Sequence, residues 1–129
     1  MEWVIKDDLA RSPRPGFPLH DVPPEHVDEW LEQIYSLGIQ SVIVLLHTEQ
    51  LTWYPQLEEG LLDRYRDAGL DVTHFNILDY KTPPIEIYDL PPIFEAYQKA
   101  PKPVLIHCSA GVDRTGQVVE YILGQLEQG

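Results

Sequence analysis

Cysteine occurs once in the 129 residues, as Cys108, so the chain can form no internal disulfide and no cysteine-rich metal site. Basic residues are scarce as well: 9 lysines and arginines stand against 21 acidic residues, a net charge of −12. That balance argues against broad attraction to nucleic acid or to an anionic lipid surface. Apolar runs are short, none approaching the length that crosses a bilayer. The opening Met1-Glu2-Trp3-Val4-Ile5-Lys6 lacks the pattern of a secretory leader. Scattered histidines form no ligand cluster. The expectation is a cytoplasmic protein in a reducing compartment, with no metal or cofactor and no nucleic-acid or membrane partner. Repeats and low-complexity linkers are also missing.

What is present suits one domain of ordinary composition, 43% apolar and 23% charged. Trp3-Val4-Ile5 and Leu9-Ala10 read as short strands around a turn at Lys6-Asp7-Asp8. The proline-rich stretch 11–18 is an ordered surface loop. A helix over about His26 to Leu37 puts Val27, Trp30, Leu31, Ile34 and Leu37 on one face and ends at Gly38. Ser41 to Leu46 follows as a central parallel strand. Leu57, Leu61, Leu62 and Tyr65 mark the next helix, stopping near Gly69, and 71–77 reads as another strand. A helix over 85–100 is interrupted or restarted at Pro91-Pro92. Helices alternating with apolar strands give an α/β fold, a mostly parallel central sheet flanked by helices.

The chain is organised around residues 102–116. Val104 to Ile106 is a buried strand that ends at His107-Cys108, and from Thr115 the spacing turns helical through Val118, Val119, Ile122, Leu123 and Leu126. Strand, glycine-containing loop and helix start together make an anion cradle. Loop amides can converge on one point while the first-turn N–H groups remain unpaired and the helix dipole favours negative charge. Arg114 adds a planar fork of donors matched to phosphate oxygens. The same features stabilise a thiolate at Cys108. A nucleophile beside a phosphate receptor points to phosphoryl transfer. The competing reading makes Cys108 a small buried hydrophobe at a strand end.

The run His107-Cys108-Ser109-Ala110-Gly111-Val112-Asp113-Arg114-Thr115-Gly116 resembles the signature of the cysteine-dependent protein tyrosine phosphatases. In length and arrangement the chain is similar to the compact dual-specificity type. The resemblance implies a protein tyrosine phosphatase-like fold and one phosphatase domain over residues 1–129, a hydrolase that works through a phosphocysteine. Only 15 residues follow Arg114, whereas relatives commonly carry further C-terminal helices. A truncated C-terminus, an oligomer or an unusually compact member each accounts for that, with the last helix burying its apolar residues against the sheet.

The resemblance also implies roles. Cys108 is the nucleophile and Arg114 holds phosphate together with the backbone of Ser109, Ala110, Gly111, Val112 and Asp113. Thr115 hydrogen-bonds the cysteine sulfur, and His107 orders the loop backbone. Asp79, in the stretch after the strand ending near Ile77, is the general acid that protonates the leaving oxygen. Asp71 lies at the wrong edge for that, and His74 reads as structural or exposed. Glu49, just beyond a strand, either stands at the pocket rim and orients Arg114 or a neighbouring residue, or is a solvated loop residue. Arg11 or Arg14 either stands at the pocket rim or is a surface arginine. Trp53 and Tyr54 either line the rim or cap the core, and Tyr80 either meets substrate or packs its loop down. Asp113 replaces a more usual glycine and is expected to face outward, since burying it against a phosphate dianion is expensive. The substrate is a phosphorylated protein, phosphotyrosine first and phosphoserine or phosphothreonine next. The alternatives are a small molecule, nucleotide or phosphoinositide, and a non-catalytic phosphate-binding module.

Overall fold

Alternation along the core strands sorts their apolar residues into two layers. A computed structural model describes residues 1–128, in which five strands form one sheet of order β1-β2-β5-β3-β4. The strands are β1 (Glu2–Ile5), β2 (Leu9–Ser12), β3 (Ser41–Val44), β4 (Asp71–His74) and β5 (Val104–His107). β1 runs antiparallel to β2, and every other pairing is parallel. The helices are α1 (Pro24–Ser36), the single turn α2 (Thr48–Leu51), α3 (Leu61–Asp67), α4 (Leu90–Lys99) and α5 (Asp113–Gln128).

Because successive strand residues point to opposite faces, Ala10, Val42, Val44 and Leu105 pack with Trp30, Leu31 and Ile34 of α1 and Leu61 and Tyr65 of α3. Leu9, Ile43, Val104 and Ile106 pack on the other face with Leu90, Ile93 and Tyr97 of α4 and Val118 and Ile122 of α5. This mostly parallel sheet between helical layers is the expected α/β architecture.

Several boundaries differ from the sequence reading. β3 stops at Val44, and Leu45 and Leu46, though fully buried, lie beyond it. β4 stops at His74. Residues 85–100 do not form one helix: a 3₁₀ turn at Ile87–Asp89 precedes α4, which takes Pro91-Pro92 into its first turn, where proline's missing N–H has no partner to lose. α5 buries Val118, Val119 and Ile122 but leaves Leu123 and Leu126 exposed, so the expectation that all its apolar residues reach the sheet does not hold. Among the described residues, no helix is long and apolar enough to cross a membrane.

The register positions the chemistry. His107 pairs with both Ser12 and Val44, and Val44 pairs with His74, so β2, β5, β3 and β4 end level. The segments that follow them meet at one edge, the carboxyl edge where parallel sheets bind ligands.

Candidate active site

Cys108 follows β5 directly, and the alternation of the strand sends it and His107 to opposite layers. Cys108 belongs to the α4/α5 side and is only 2% exposed. The loop then turns at Gly111, with φ +77°, to enter α5 at Asp113. A Cβ at Gly111 would lie 2.7 Å from the carbonyl carbon and oxygen of Ser12 and 2.8 Å from Pro13 N. Glycine is required there for both its left-handed backbone and its close approach to the Ser12-Pro13 backbone. The backbone N–H groups of Ser109, Ala110, Gly111 and Val112 donate to no protein acceptor among the described residues. With the unpaired first turn of α5 they form a row of free donors.

Arg114 is fully buried and divides its guanidinium between two tasks. Nη1 donates to Leu45 O at 3.0 Å, Ile77 O at 3.0 Å and Gln50 Oε1 at 2.9 Å, tying the segments after β3 and β4 to α5. Nη2 stands 3.0 Å from Asp79 Oδ2, an ionic contact too oblique to be a hydrogen bond, and Nε has no partner. The Nε/Nη2 edge is thus a buried pair of donors without hydrogen-bond partners among the described residues, the shape that a phosphate takes up in bidentate fashion. Asp79 also accepts from Gln50 Nε2 at 2.9 Å and from Tyr80 N at 2.9 Å. A nucleophilic thiol, a half-free guanidinium fork, a row of amide donors and a carboxylate beside them can carry out phosphoryl transfer.

Residues 24–126 match the family model described as "Tc-R-P: Polymorphic toxin system, DSP-PTPase phosphatase". The chain belongs to this family. It is a cysteine-dependent phosphatase of the tyrosine and dual-specificity superfamily. Among solved structures it is similar to Tk-PTP in its active form, with 25% identity over 95% of this chain and 71% of that one and a TM-score of 0.64. Kinase associated phosphatase (KAP), solved with its catalytic cysteine replaced by serine, is 25% identical over 88% of this chain and 65% of its own, with a TM-score of 0.63. A putative phosphatase (DUF442) from Shewanella putrefaciens CN-32, at 19% identity, 95% and 70% coverage and a TM-score of 0.59, shares the fold.

Several residues of this phosphatase sit elsewhere than their sequence suggested. Glu49 is exposed and lines the cavity beside Asp79, but the side chain on Arg114 is that of its neighbour Gln50, 5% exposed. The segment expected to be a loop is the helical turn α2, and residues one apart on a helix point about 100° apart, so only one of the two can face inward. Arg14 is not at a rim. It is 2% exposed beneath the loop, with Nε donating to Ser109 Oγ at 3.0 Å and its guanidinium 4.6 Å from the Trp53 ring. Arg11 braces the same loop through Nη2 to Gly111 O at 2.7 Å. Trp53 is half-buried, stacked on His20 at 4.0 Å, and lines a cavity with Asp79, whereas Tyr54 is buried and donates to Pro15 O at 2.6 Å. Tyr80 is 95% exposed and so does not pack its loop down. Asp113 faces outward in the first turn of α5, where the helix dipole favours its charge. His74 bonds Leu46 O and Asp71 lies at the far edge. Among the described residues Thr115 Oγ1 is buried without any hydrogen-bond partner, so the expected bond to the cysteine sulfur is not made in this arrangement. Gln117, which the sequence reading did not single out, pairs both amide atoms with the backbone of Ile85, at 2.8 and 3.0 Å, and fastens the segment after β4 to α5.

His107 is fully buried between layers. A carbonyl only accepts, so Nδ1–H donates to Cys108 O at 2.9 Å, which leaves Nε2 to accept from Tyr65 OH at 2.9 Å. Trp30 meets its ring edge-on at 5.5 Å. Burial pushes the imidazole down to about 4 from its ordinary 6.5, with nearby Arg114 and Arg14 adding to the shift. The folded state therefore holds His107 neutral while the unfolded chain protonates below 6.5, so stability falls as pH drops from about 6.5 towards 4. The full loss is about 3 kcal/mol. Urea unfolding at pH 7 and pH 4.5 checks this. His107→Asn, which has nothing to titrate, should lose about 2 to 3 kcal/mol less than the native protein across that interval. Equal losses would show that His107 does not carry the effect.

Proposed function

We propose that this phosphatase hydrolyses phosphotyrosine in proteins through a phosphocysteine intermediate. The observation that supports the substrate class is a cavity of about 470 Å³ opening beside Asp79, with Trp53, Leu78 and Tyr80 on its wall beside His47 and Glu49, and lined by no lysine or arginine. A larger cavity of about 670 Å³ lies between α1 and α3 at the opposite edge of the sheet and includes none of the site residues. The leaving group must occupy space next to the acid, and an aromatic wall suits an aryl leaving group. A phosphoinositide or nucleotide carries several anionic groups and needs further cations. No lysine or arginine stands in this cavity, and the loop has none between Cys108 and Arg114.

The Cys108 sulfur attacks phosphorus while the bond to the ester oxygen breaks and Asp79 delivers its proton to that oxygen. Arg114 and the loop amides hold the equatorial oxygens as charge builds on them. Water then attacks the phosphocysteine, Asp79 takes the proton, and the thiolate leaves with inorganic phosphate released. Thr115 Oγ1, buried and unpaired, is placed to donate to the sulfur once it carries charge, which would offset its own burial. A lone reactive thiol and the net charge of −12 fit a soluble phosphoprotein as partner in a reducing compartment.

One peptide sequence carrying phosphotyrosine, phosphoserine or phosphothreonine tests the reading alongside inositol phosphates and nucleotides. The phosphotyrosine peptide should exceed every other substrate in kcat/KM by about tenfold or more. A preferred inositol phosphate or nucleotide would overturn it.

A further inference from the structure

We infer that Gln50 is a positioning residue for the reaction: its side-chain amide couples the general acid to the phosphate-binding arginine. This rests on the reading of Asp79 as the acid. One amide group reaches both partners, with Oε1 accepting from Arg114 Nη1 at 2.9 Å and Nε2 donating to Asp79 Oδ2 at 2.9 Å. Oε1 also accepts from His47 N at 3.1 Å.

The orientation of the amide is dictated by its neighbours. On one side stand two donors, a guanidinium N–H and a backbone N–H; on the other stands a carboxylate, which only accepts when ionised. Turning the amide over would oppose donor to donors and acceptor to acceptor, so only this orientation satisfies all three partners. Capping α2 accounts for Oε1 alone. It does not account for an Nε2 that reaches a carboxylate 29 positions away in the chain. The same short helix fastens the acid segment a second time, through Thr48 N to Asn76 Oδ1 at 2.9 Å.

The consequence is that binding and proton delivery are aligned together. When phosphate occupies the Nε/Nη2 edge of Arg114, Asp79 must turn one oxygen to the leaving group. Gln50, anchored to the opposite end of the guanidinium, keeps the other oxygen in place while it does so. The acid is then held relative to phosphorus and not merely near it, and proton transfer depends on such alignment.

The test uses two aryl phosphates, one with a good leaving group (p-nitrophenyl) and one with a poor one (phenyl). Asp79→Asn should slow phenyl phosphate by about 100-fold or more and the nitrophenyl ester far less, because only the poor leaving group needs the proton. Gln50→Met should reproduce that selectivity, slowing kcat for phenyl phosphate by about 10- to 100-fold and leaving KM nearly unchanged. Gln50→Glu preserves size and the acceptor for Arg114 but puts a like charge against Asp79, so it should show the same selectivity in a side chain of native shape. In the Asp79→Asn background neither change should add further selectivity. If Asp79→Asn is selective while both Gln50 variants slow the two esters equally, or act additively with it, Gln50 is only a structural cap and the inference fails. If Asp79→Asn shows no selectivity, the acid assignment fails and the role of Gln50 falls with it.

Discussion

Replacing Cys108 by serine is expected to lower aryl phosphate turnover by about 10,000-fold or more while leaving the fold and phosphate binding in place. The sulfur is the only nucleophile that β5 delivers to the row of free amides, and it is 2% exposed within the α4/α5 layer. Serine is close to it in volume, so packing changes little. A hydroxyl, however, remains protonated at neutral pH and has no base beside it, since His107 is turned to the other layer with both ring nitrogens engaged. The Arg114 fork and the loop amides are untouched, so phosphopeptide should still bind. Two measurements check this: steady-state turnover, and binding followed by tryptophan fluorescence. Rapid acid quench of the native protein with labelled substrate should also leave phosphate on Cys108. A serine variant that retains a hundredth of native turnover would place the nucleophile elsewhere.

Arg114→Lys is expected to cost about 1,000-fold in turnover, although charge is conserved. The guanidinium works at two ends: Nη1 meets three acceptors from two separate loops, while Nε and Nη2 are left as a pre-aimed pair. An ammonium is one point with three donors. If it satisfies Leu45 O, Ile77 O and Gln50, it has no fork left for phosphate; if it turns to phosphate, those acceptors lose their partner. Arg114→Met removes both functions and also deprives the Asp79 carboxylate, only 17% exposed, of its ion-pair partner. Loss of about 3 kcal/mol or more of stability should follow from breaking a buried pair. Turnover with aryl phosphate and urea midpoints separate the two effects. Lysine retaining a tenth of native turnover would show that the planar fork is not needed.

Contiguous features were legible in the sequence. The apolar run into His107-Cys108, the turn at Gly111 and the helix beyond it are local, and each residue type carries its own reason. Periodicity likewise separated strands from helices. Boundaries were less legible because a strand ends where its partners end: Leu45 and Leu46 remain buried and apolar after the β3 ladder has stopped. The composition of α5 could not tell which of its apolar residues would find cover, and Leu123 and Leu126 did not.

The residues around the loop belong to a different category. Arg11 lies 100 positions from Gly111, Arg14 95 from Ser109 and Gln50 64 from Arg114. Nothing local distinguishes Arg14 from a surface arginine in a proline-rich loop, or Gln50 from Glu49. The charge of Glu49 made it one candidate partner for an arginine, with a solvated loop residue as the other reading. What placed Gln50 there instead is the phase of a single helical turn, fixed by the level ends of β3, β4 and β5. By itself, the sequence determined the layered α/β fold and the strand, loop and helix start that carry Cys108 and Arg114, because these depend on residues close together in the chain. Only the tertiary structure decided what holds the cradle in shape, because those contacts depend on which segments the sheet register brings to one edge and which way each side chain then points.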